Sequence, residues 1–229
     1  MTYIAENLKA VHARMDAAAK KAGRNPEDIQ LICVSKTRPA RDVHLASCEG
    51  EEHFGENYLQ ESVETIAQIG THGITWHFIG PIQSNKTRPI AELFDWVHSV
   101  DRIKIAQRLS RQRPEEMADL NILLQVNISH EASKSGLLEN EIEEALKVCT
   151  ALPKLNVRGF MAIPEATDDT QLQHASFAKM NDLLKKYQQT YPQLQELSMG
   201  MSGDLEAAIH EGATMVRIGT DIFGKRDYS

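Results

Sequence analysis

Short apolar, β-branched segments alternate with longer helical segments along the chain, and this alternation limits the possible folds more than any other feature. A strand that is regularly followed by a helix indicates a parallel sheet. Eight such units in 229 residues predict a single (β/α)8 barrel, with an open doubly wound sheet as the competing fold. The eight short segments are residues 29–36, 52–57, 74–80, 96–100, 121–127, 156–163, 196–200 and 215–219.

The N-terminal segment predicts an extra helix that precedes the first strand. Ile4, Leu8, Val11 and Met15 recur at helical spacing, and Gly23 is suited to end the helix. The segment lacks the continuous apolar core of a signal peptide, and no apolar run in the chain approaches the ~20 residues that span a bilayer. No GxGxxG motif follows the first strand, which disfavours a dinucleotide-binding sheet.

Charge and cysteine content exclude several classes of function. Lys and Arg total 25 against 32 Asp and Glu, so the net charge of −7 disfavours binding to a nucleic-acid backbone. Three scattered cysteines are too few for a disulfide framework or a zinc site. We therefore expect one domain over residues 1–229, in the cytoplasm, with no nucleic-acid or membrane partner.

A lysine at the end of the first predicted strand is the first candidate for chemistry. Catalytic and binding groups of a barrel lie at the C-terminal ends of its strands. Ile32, Val34 and Lys36 share one face of the strand, so Lys36 would stand at the barrel mouth above an apolar floor. Desolvation there would lower its pKa and make it a nucleophile for an aldehyde. The alternative is a lysine that simply reaches solvent.

Two glycine-rich turns, SMGMSGD and RIGTD, follow the last two predicted strands. Ser202 is suited to be a helix N-cap with Gly203 in the first turn, while Gly219 permits close backbone approach and Thr220 supplies a hydroxyl. Backbone N–H groups at helix starts bind anions, and a phosphate site after strands seven and eight recurs in barrels. Ordinary capping and turn chemistry is the alternative for either turn.

Four further residues have both a functional and a structural interpretation. Arg217 would be costly to bury without a partner, so it predicts either a structural ion pair or a ligand contact. His77 would be a catalytic base or a packed core histidine, and Asn57 a ligand contact or a cap. Met161 would line a pocket or fill the core.

Several motifs together resemble the YggS/PROSC family, whose members bind pyridoxal 5′-phosphate (PLP) and act in PLP homeostasis. The resemblance covers essentially the whole chain, with the motifs in family order, and it implies a fold-type III (β/α)8 barrel like the N-terminal domain of alanine racemase. The motifs are VSKT at 34–37, FGENYLQE at 54–61, HFIGPIQSNK at 77–86, SKSG at 133–136, SMGMSGD at 198–204 and VRIGTDIFG at 216–224.

The resemblance also implies a role for each candidate residue. Lys36 would form a Schiff base with PLP, and Arg217 would face the pyridine nitrogen. A positive guanidinium there disfavours protonation of the ring and weakens it as an electron sink. The residues implied to hold the phosphate are Ser202, Gly219 and Thr220, with Gly203 nearby. Those implied to lie near the cofactor are Asn57, Met161 and His77.

The expected function is therefore that of a non-enzymatic PLP carrier and buffer in vitamin B6 and amino-acid homeostasis. Alanine racemases add a second domain with a catalytic tyrosine, and its absence here favours weak catalysis and a monomer. PLP-accepting apoenzymes are the expected partners, and Lys134 would affect release, bind a second anion or lie in solvent. The alternatives are a modest PLP-dependent racemase or decarboxylase, a PLP-regulated scaffold, and an aldolase-like Schiff-base enzyme.

Overall fold

A computed structural model describes residues 2–129 and 135–224, and its eight parallel strands close into a barrel in chain order. The predicted (β/α)8 barrel is thus confirmed. The strands are β1 Gln30–Val34, β2 His53–Glu56, β3 Thr75–Phe78, β4 Trp96–Val100, β5 Leu120–Gln125, β6 Leu155–Met161, β7 Glu196–Ser198 and β8 Met215–Ile218.

Helices follow the strands around the outside of the barrel, as the alternation predicts. Two short 3-10 turns, Pro26–Asp28 and Ser84–Lys86, precede β1 and α4. The helices are α1 Tyr3–Lys21, α2 Ala40–Cys48, α3 Leu59–Ile69, α4 Thr87–Leu93, α5 Ile103–Gln112, α6 Glu139–Cys149, α7 Thr170–Gln188, α8 Leu205–His210 and α9 Thr220–Phe223. In the part of the chain that the structure describes, none of them has the length and apolar character to cross a membrane.

The N-terminal helix α1 is the extra helix that the sequence predicts. Thr2 caps its start, since its hydroxyl accepts from the Ala5 N–H at 3.3 Å. Gly23, at a φ of 68°, lies just beyond its end. The buried stripe contains all four predicted residues, Ile4, Leu8, Val11 and Met15. The helix packs mainly on α8 and α9, so it covers the barrel segment that holds the two glycine-rich turns.

The barrel interior is filled with side chains. Ile32, Leu123, Met161 and Met215 form an apolar cluster of their own, against which Trp96 packs. The larger core lies between the outer face of the strands and the helices. Filled interiors of this kind support ligand sites only at the strand ends.

The turn after β7 differs from the prediction. Ser202 is not the N-cap of α8, because the helix begins at Leu205 and Asp204 takes the cap position. The Asp204 carboxylate accepts from the Met201 N–H at 2.6 Å, which closes the turn before the helix starts. Gly200, at a φ of 94°, turns the chain at the strand end. The Ser202 side chain therefore caps no helix and borders the cavity described below.

Candidate functional site

A cavity of about 250 Å³ lies at the C-terminal ends of the strands, where a barrel places its chemistry. It brings together residues that are up to 186 positions apart in the chain, between Val34 and Thr220. Seven of the nine residues predicted from the sequence border this cavity: Lys36, Asn57, Ser202, Gly203, Arg217, Gly219 and Thr220.

Lys36 lies in a tight turn directly after β1. The Arg38 N–H donates to the Ser35 carbonyl at 3.0 Å, which closes the turn around the lysine. Thr37 adopts a φ of 61°, a region that β-branched residues rarely occupy, and its N–H donates to the Glu61 carboxylate at 3.1 Å. Strained backbone of this kind persists where the surrounding contacts fix it, and it is common at ligand sites. The half-buried Lys36 side chain is thereby presented at the cavity wall.

A buried carboxyl group lies beside this turn. The Ser35 hydroxyl donates to Glu56 Oε1 at 2.5 Å, and both side chains are almost completely buried. Burial raises the pKa of Glu56 to about 7, against the opposing effects of the Ser35 hydrogen bond and the Lys36 charge. Glu56 is therefore the buried carboxyl group that changes charge near neutral pH in the vicinity of Lys36.

Asn57 provides an acceptor that has no partner in the described residues. Its Oδ1 atom is buried and accepts no hydrogen bond there, and Asn57 is one of the residues that border the cavity. Gly80 allows this placement, because a Cβ at that position would lie 2.0 Å from the Asn57 carbonyl oxygen. A buried acceptor without a partner costs about 1–3 kcal/mol, a cost that a bound ligand with a donor group removes.

Arg14 on α1 links the two glycine-rich turns. Its Nη2 donates to the Ser202 carbonyl at 3.0 Å, and its guanidinium pairs with the two Glu206 oxygens at 2.9 and 3.0 Å. Its Nη1 lies 2.5 Å from the Asp221 carboxylate. Since Glu206 belongs to α8 and Asp221 to α9, one arginine fixes both turns relative to each other. The bare backbone and hydroxyl groups of these turns suit a phosphate group.

Arg217 reaches the cavity from inside the barrel and is only 4% exposed. Its Nη1 donates to Ser198 Oγ at 2.7 Å and its Nη2 to the Ala162 carbonyl at 3.1 Å. Burial lowers its pKa to about 10, and the nearby Asp204 charge opposes that shift. The guanidinium therefore stays protonated at neutral pH and places a positive charge at the cavity floor.

Two predicted residues do not border the cavity. His77 is completely buried one residue before the end of β3 and hydrogen-bonds to His53 and His98. Met161 is 1% exposed and belongs to the apolar cluster that fills the barrel. Both side chains point into the barrel interior, below the cavity. Lys134 lies outside the described residues.

Five residues that are not among the nine predicted site residues also border the cavity: Val34, Arg38, Ile79, Ile163 and Met201. Val34 shares the strand face of Lys36, so its position followed from the same alternation. Arg38 follows Lys36 by two residues and was detectable only once the turn geometry was known. Its guanidinium donates to the Gly224 carbonyl beyond α9, which connects the lysine turn to the end of the last helix.

Comparisons with known proteins agree with this geometry. The family model for the alanine racemase N-terminal domain matches residues 7–227. The pyridoxal phosphate homeostasis protein of Pseudomonas aeruginosa is 55% identical over 228 residues, which cover 100% of this chain and 98% of that protein. The protein of the same name from Escherichia coli K12 is 49% identical over 232 residues, with coverage of 100% and 99%.

Solved structures give the same result. PipY of Synechococcus elongatus, solved without PLP, matches with a TM-score of 0.86 and 36% identity over 96% of this chain and 100% of PipY. The PipY structure with PLP bound matches at 0.85. Alanine racemase from Corynebacterium glutamicum shares the fold alone, at a TM-score of 0.66 and 18% identity, and its matched part is 62% of that chain. The chain thus belongs to the family of pyridoxal phosphate homeostasis proteins, which is built on the N-terminal domain fold of alanine racemase.

Proposed function

We propose that this protein binds PLP in the cavity at the barrel mouth, and that it carries and buffers the cofactor without strong catalysis of its own. The observation that carries the proposal is the convergence of a lysine, a buried arginine, an orphan amide oxygen and two glycine-rich turns on one small cavity. The names of the relatives and the PLP-bound PipY structure support it.

Each group of the cavity suits one part of PLP. Lys36 supplies the amine that condenses with the aldehyde carbon, with loss of water, into a reversible Schiff base. The turns with Ser202, Gly203, Gly219 and Thr220 hold the dianionic phosphate. Asn57 accepts a hydrogen bond beside the ring, while Met161 and His77 support the site from the layer below. Bound PLP supplies an electrophilic carbon and an aromatic ring that can delocalise charge.

Weak catalysis follows from the charge at the cavity floor. The protonated Arg217 guanidinium disfavours a proton on the pyridine nitrogen, so the ring would withdraw electrons less strongly. Reversible binding then becomes the main property of the site. We further propose that residues 1–229 act as one domain, as a monomer in the cytoplasm, and that PLP-accepting apoenzymes receive the cofactor.

The carrier function is tested by transfer. Protein loaded with PLP is mixed with an apoenzyme that regains activity on binding PLP, and transfer is followed by the regained activity. We expect transfer from the wild type and little PLP retained by Lys36→Ala, whereas Lys104→Ala, on the exposed face of α5, behaves as the wild type. No transfer from a loaded wild type contradicts the carrier role.

The alternative, a small PLP-dependent enzyme, is tested on the same preparations. Exchange of the α-proton of several amino acids is measured in deuterium oxide, beside free PLP at the same concentration. We expect exchange no faster than that of free PLP. Exchange at least ~100-fold faster, the usual lower range for a positioned acid or base, would favour a racemase or decarboxylase instead.

A further inference from the structure

A chain of hydrogen-bonded side chains runs through the barrel interior below the cavity, from Arg217 to the opposite end of the barrel. Arg217 Nη1 donates to Ser198 Oγ at 2.7 Å, and Ser198 Oγ lies 2.8 Å from His98 Nδ1. His98 Nε2 lies 2.9 Å from His77 Nδ1, and His77 Nε2 lies 2.9 Å from His53 Nδ1. The chain thus connects β8, β7, β4, β3 and β2.

The middle of this chain has no contact with solvent. Ser198, His98 and His77 are completely buried, and only His53, the first residue of β2, is half-buried. The His77 ring stacks on Trp96 with 5.8 Å between the centroids and 16° between the planes, which fixes its orientation. Buried polar groups that satisfy one another completely make a core rigid.

One order of protons satisfies every link of the chain. A neutral imidazole has one donor and one acceptor nitrogen, whereas arginine only donates. Ser198 Oγ accepts from Arg217, so its own hydroxyl proton is left to donate to His98 Nδ1. His98 then donates from Nε2 to His77, and His77 from Nε2 to His53. The reverse order would direct two protons at the serine oxygen and leave the serine proton without an acceptor in the chain.

The electrostatic setting keeps the central histidines uncharged. Burial lowers the pKa of His77 and of His98 well below the ordinary value, and the Arg217 charge lowers that of His98 further. The adjacent imidazoles add to the shift at His77. Neutral donors and acceptors thus anchor Arg217, and unlike a carboxylate they do not cancel its charge.

We propose that Ser198, His98 and His77 are positioning residues that hold the Arg217 guanidinium in place at the cavity floor, through a neutral chain with a fixed proton order that ends at His53. Two of the five arginine N–H groups are used by Ser198 and the Ala162 carbonyl. The guanidinium therefore faces the cavity in one orientation, with its full charge. The inference rests on the proposed function only in that PLP is the ligand Arg217 would face.

The proton order is tested on the protein without PLP. Histidine side chains are labelled with ¹⁵N, and long-range ¹H–¹⁵N spectra are recorded between pH 6 and 8, with each signal assigned by substitution of one histidine. We expect His98 and His77 to remain neutral, with the proton on Nε2, throughout this range. A proton on Nδ1 of either ring, or a charged ring near pH 7, overturns the proposal.

The positioning role is tested with Ser198→Ala, which removes the link between Arg217 and His98. We expect PLP to bind about ten-fold more weakly, the effect of losing one hydrogen bond to a charged group, and His98 to show mixed tautomers. Ser198→Thr keeps the hydroxyl and should restore both properties. Ser110→Ala is the matched control. Ser110 lies on α5, outside the cavity, and it is also buried and donates to the Pro153 carbonyl at 2.8 Å.

The outcomes separate this inference from the proposed function. A wild type that fails to bind PLP contradicts the proposed function. The spectra of the unliganded protein still decide whether the hydrogen-bonded side chains have the proposed proton order. Unchanged PLP affinity in a folded Ser198→Ala variant contradicts the positioning role. If that variant does not fold, two other results decide the question. They are the tautomers of the wild type and the PLP affinity of Ser198→Thr, which we expect within about two-fold of the wild type.

Discussion

The barrel contains two buried polar systems, and burial shifts their pKa values in opposite directions. Near the lysine turn, the Ser35 hydroxyl donates to Glu56, whose pKa burial raises to about 7. Deeper in the barrel, burial lowers the pKa of His77 and His98 well below the ordinary value. In both cases the low-dielectric interior favours the neutral form. Only the carboxyl group, however, is brought to a pKa at which it changes charge near neutral pH.

This difference assigns different tasks to the two systems. The histidine chain keeps one protonation state at neutral pH, as a rigid support for Arg217 requires. The Ser35–Glu56 pair gains or loses a charge near Lys36 within the physiological pH range. The charge of Arg217 at the cavity floor is thus constant near neutral pH, whereas the charge of Glu56 beside Lys36 depends on pH. Substitutions in either system therefore test this comparison.

The largest effect is expected from His98→Leu, which interrupts the histidine chain. The change leaves the Ser198 hydroxyl proton without its acceptor and His77 Nδ1 without its donor in the buried interior. At about 1–3 kcal/mol for each group, we expect the free energy of unfolding to fall by about 4 kcal/mol. Urea unfolding at pH 7.5 measures it. His72→Leu, at an exposed position, should change it by less than about 0.5 kcal/mol, and a loss below about 1 kcal/mol in His98→Leu would contradict the account.

A smaller effect, dependent on pH, is expected from Glu56→Gln. Between its ordinary pKa of 4.5 and its folded pKa of about 7, Glu56 binds more protons in the folded state than in the unfolded state. Its contribution to stability is therefore complete below pH 4.5 and is lost as the pH rises to 7, a change of up to about 3 kcal/mol. Glutamine cannot ionise, so this loss should be absent from the variant.

The measurement compares the unfolding free energies of Glu56→Gln and the wild type at a series of pH values from 5 to 8. The variant should gain stability relative to the wild type as the pH rises. Taking the difference between the two proteins removes the opposite contribution of the buried histidines, which is lost as the pH falls below 6.5. Curves that run parallel across the range would show that Glu56 is already ionised at pH 5.

The smallest effect on stability is expected from Arg14→Ala, which removes half-exposed ion pairs. Its partners Glu206 and Asp221 keep contact with water, so we expect a loss of about 1 kcal/mol in unfolding free energy. PLP should bind several-fold more weakly, because Arg14 also fixes the Ser202 carbonyl. Arg88→Ala, which removes an exposed pair with Glu92 on α4, is the control and should leave PLP affinity unchanged. Equal PLP affinities in Arg14→Ala and Arg88→Ala would show that Arg14 on α1 does not support the PLP site.

The sequence was sufficient for the features that depend on local periodicity. Alternating strands and helices predicted the closed barrel, and the helical stripe predicted α1. Because strand ends converge in a barrel, the residues at the ends of β1, β2, β7 and β8 were predicted to meet, and seven of them border one cavity. These predictions required only which face each residue occupies and which end of its strand it lies on.

Features that depend on contacts distant in sequence could not be predicted. His98 and Ser198 are 100 positions apart, and their hydrogen bond follows from barrel closure and from side-chain rotamers. Arg14 meets Glu206 across 192 positions for the same reason. Ser202 was assigned as an N-cap by residue type, but the Asp204 carboxylate competes for that role and closes the turn instead. Local propensity does not decide between two such side chains.

The central claim, that Lys36 holds PLP covalently at the barrel mouth, is tested most directly by reduction and peptide mapping. The purified protein is incubated with PLP, reduced with borohydride and digested, and the modified lysines are identified by mass spectrometry. We expect the phosphopyridoxyl group on Lys36 at about one per chain, and no modification of comparable yield in Lys36→Ala. A label spread over exposed lysines, or equal labelling in Lys36→Ala, would contradict the assignment of this cavity as the PLP site.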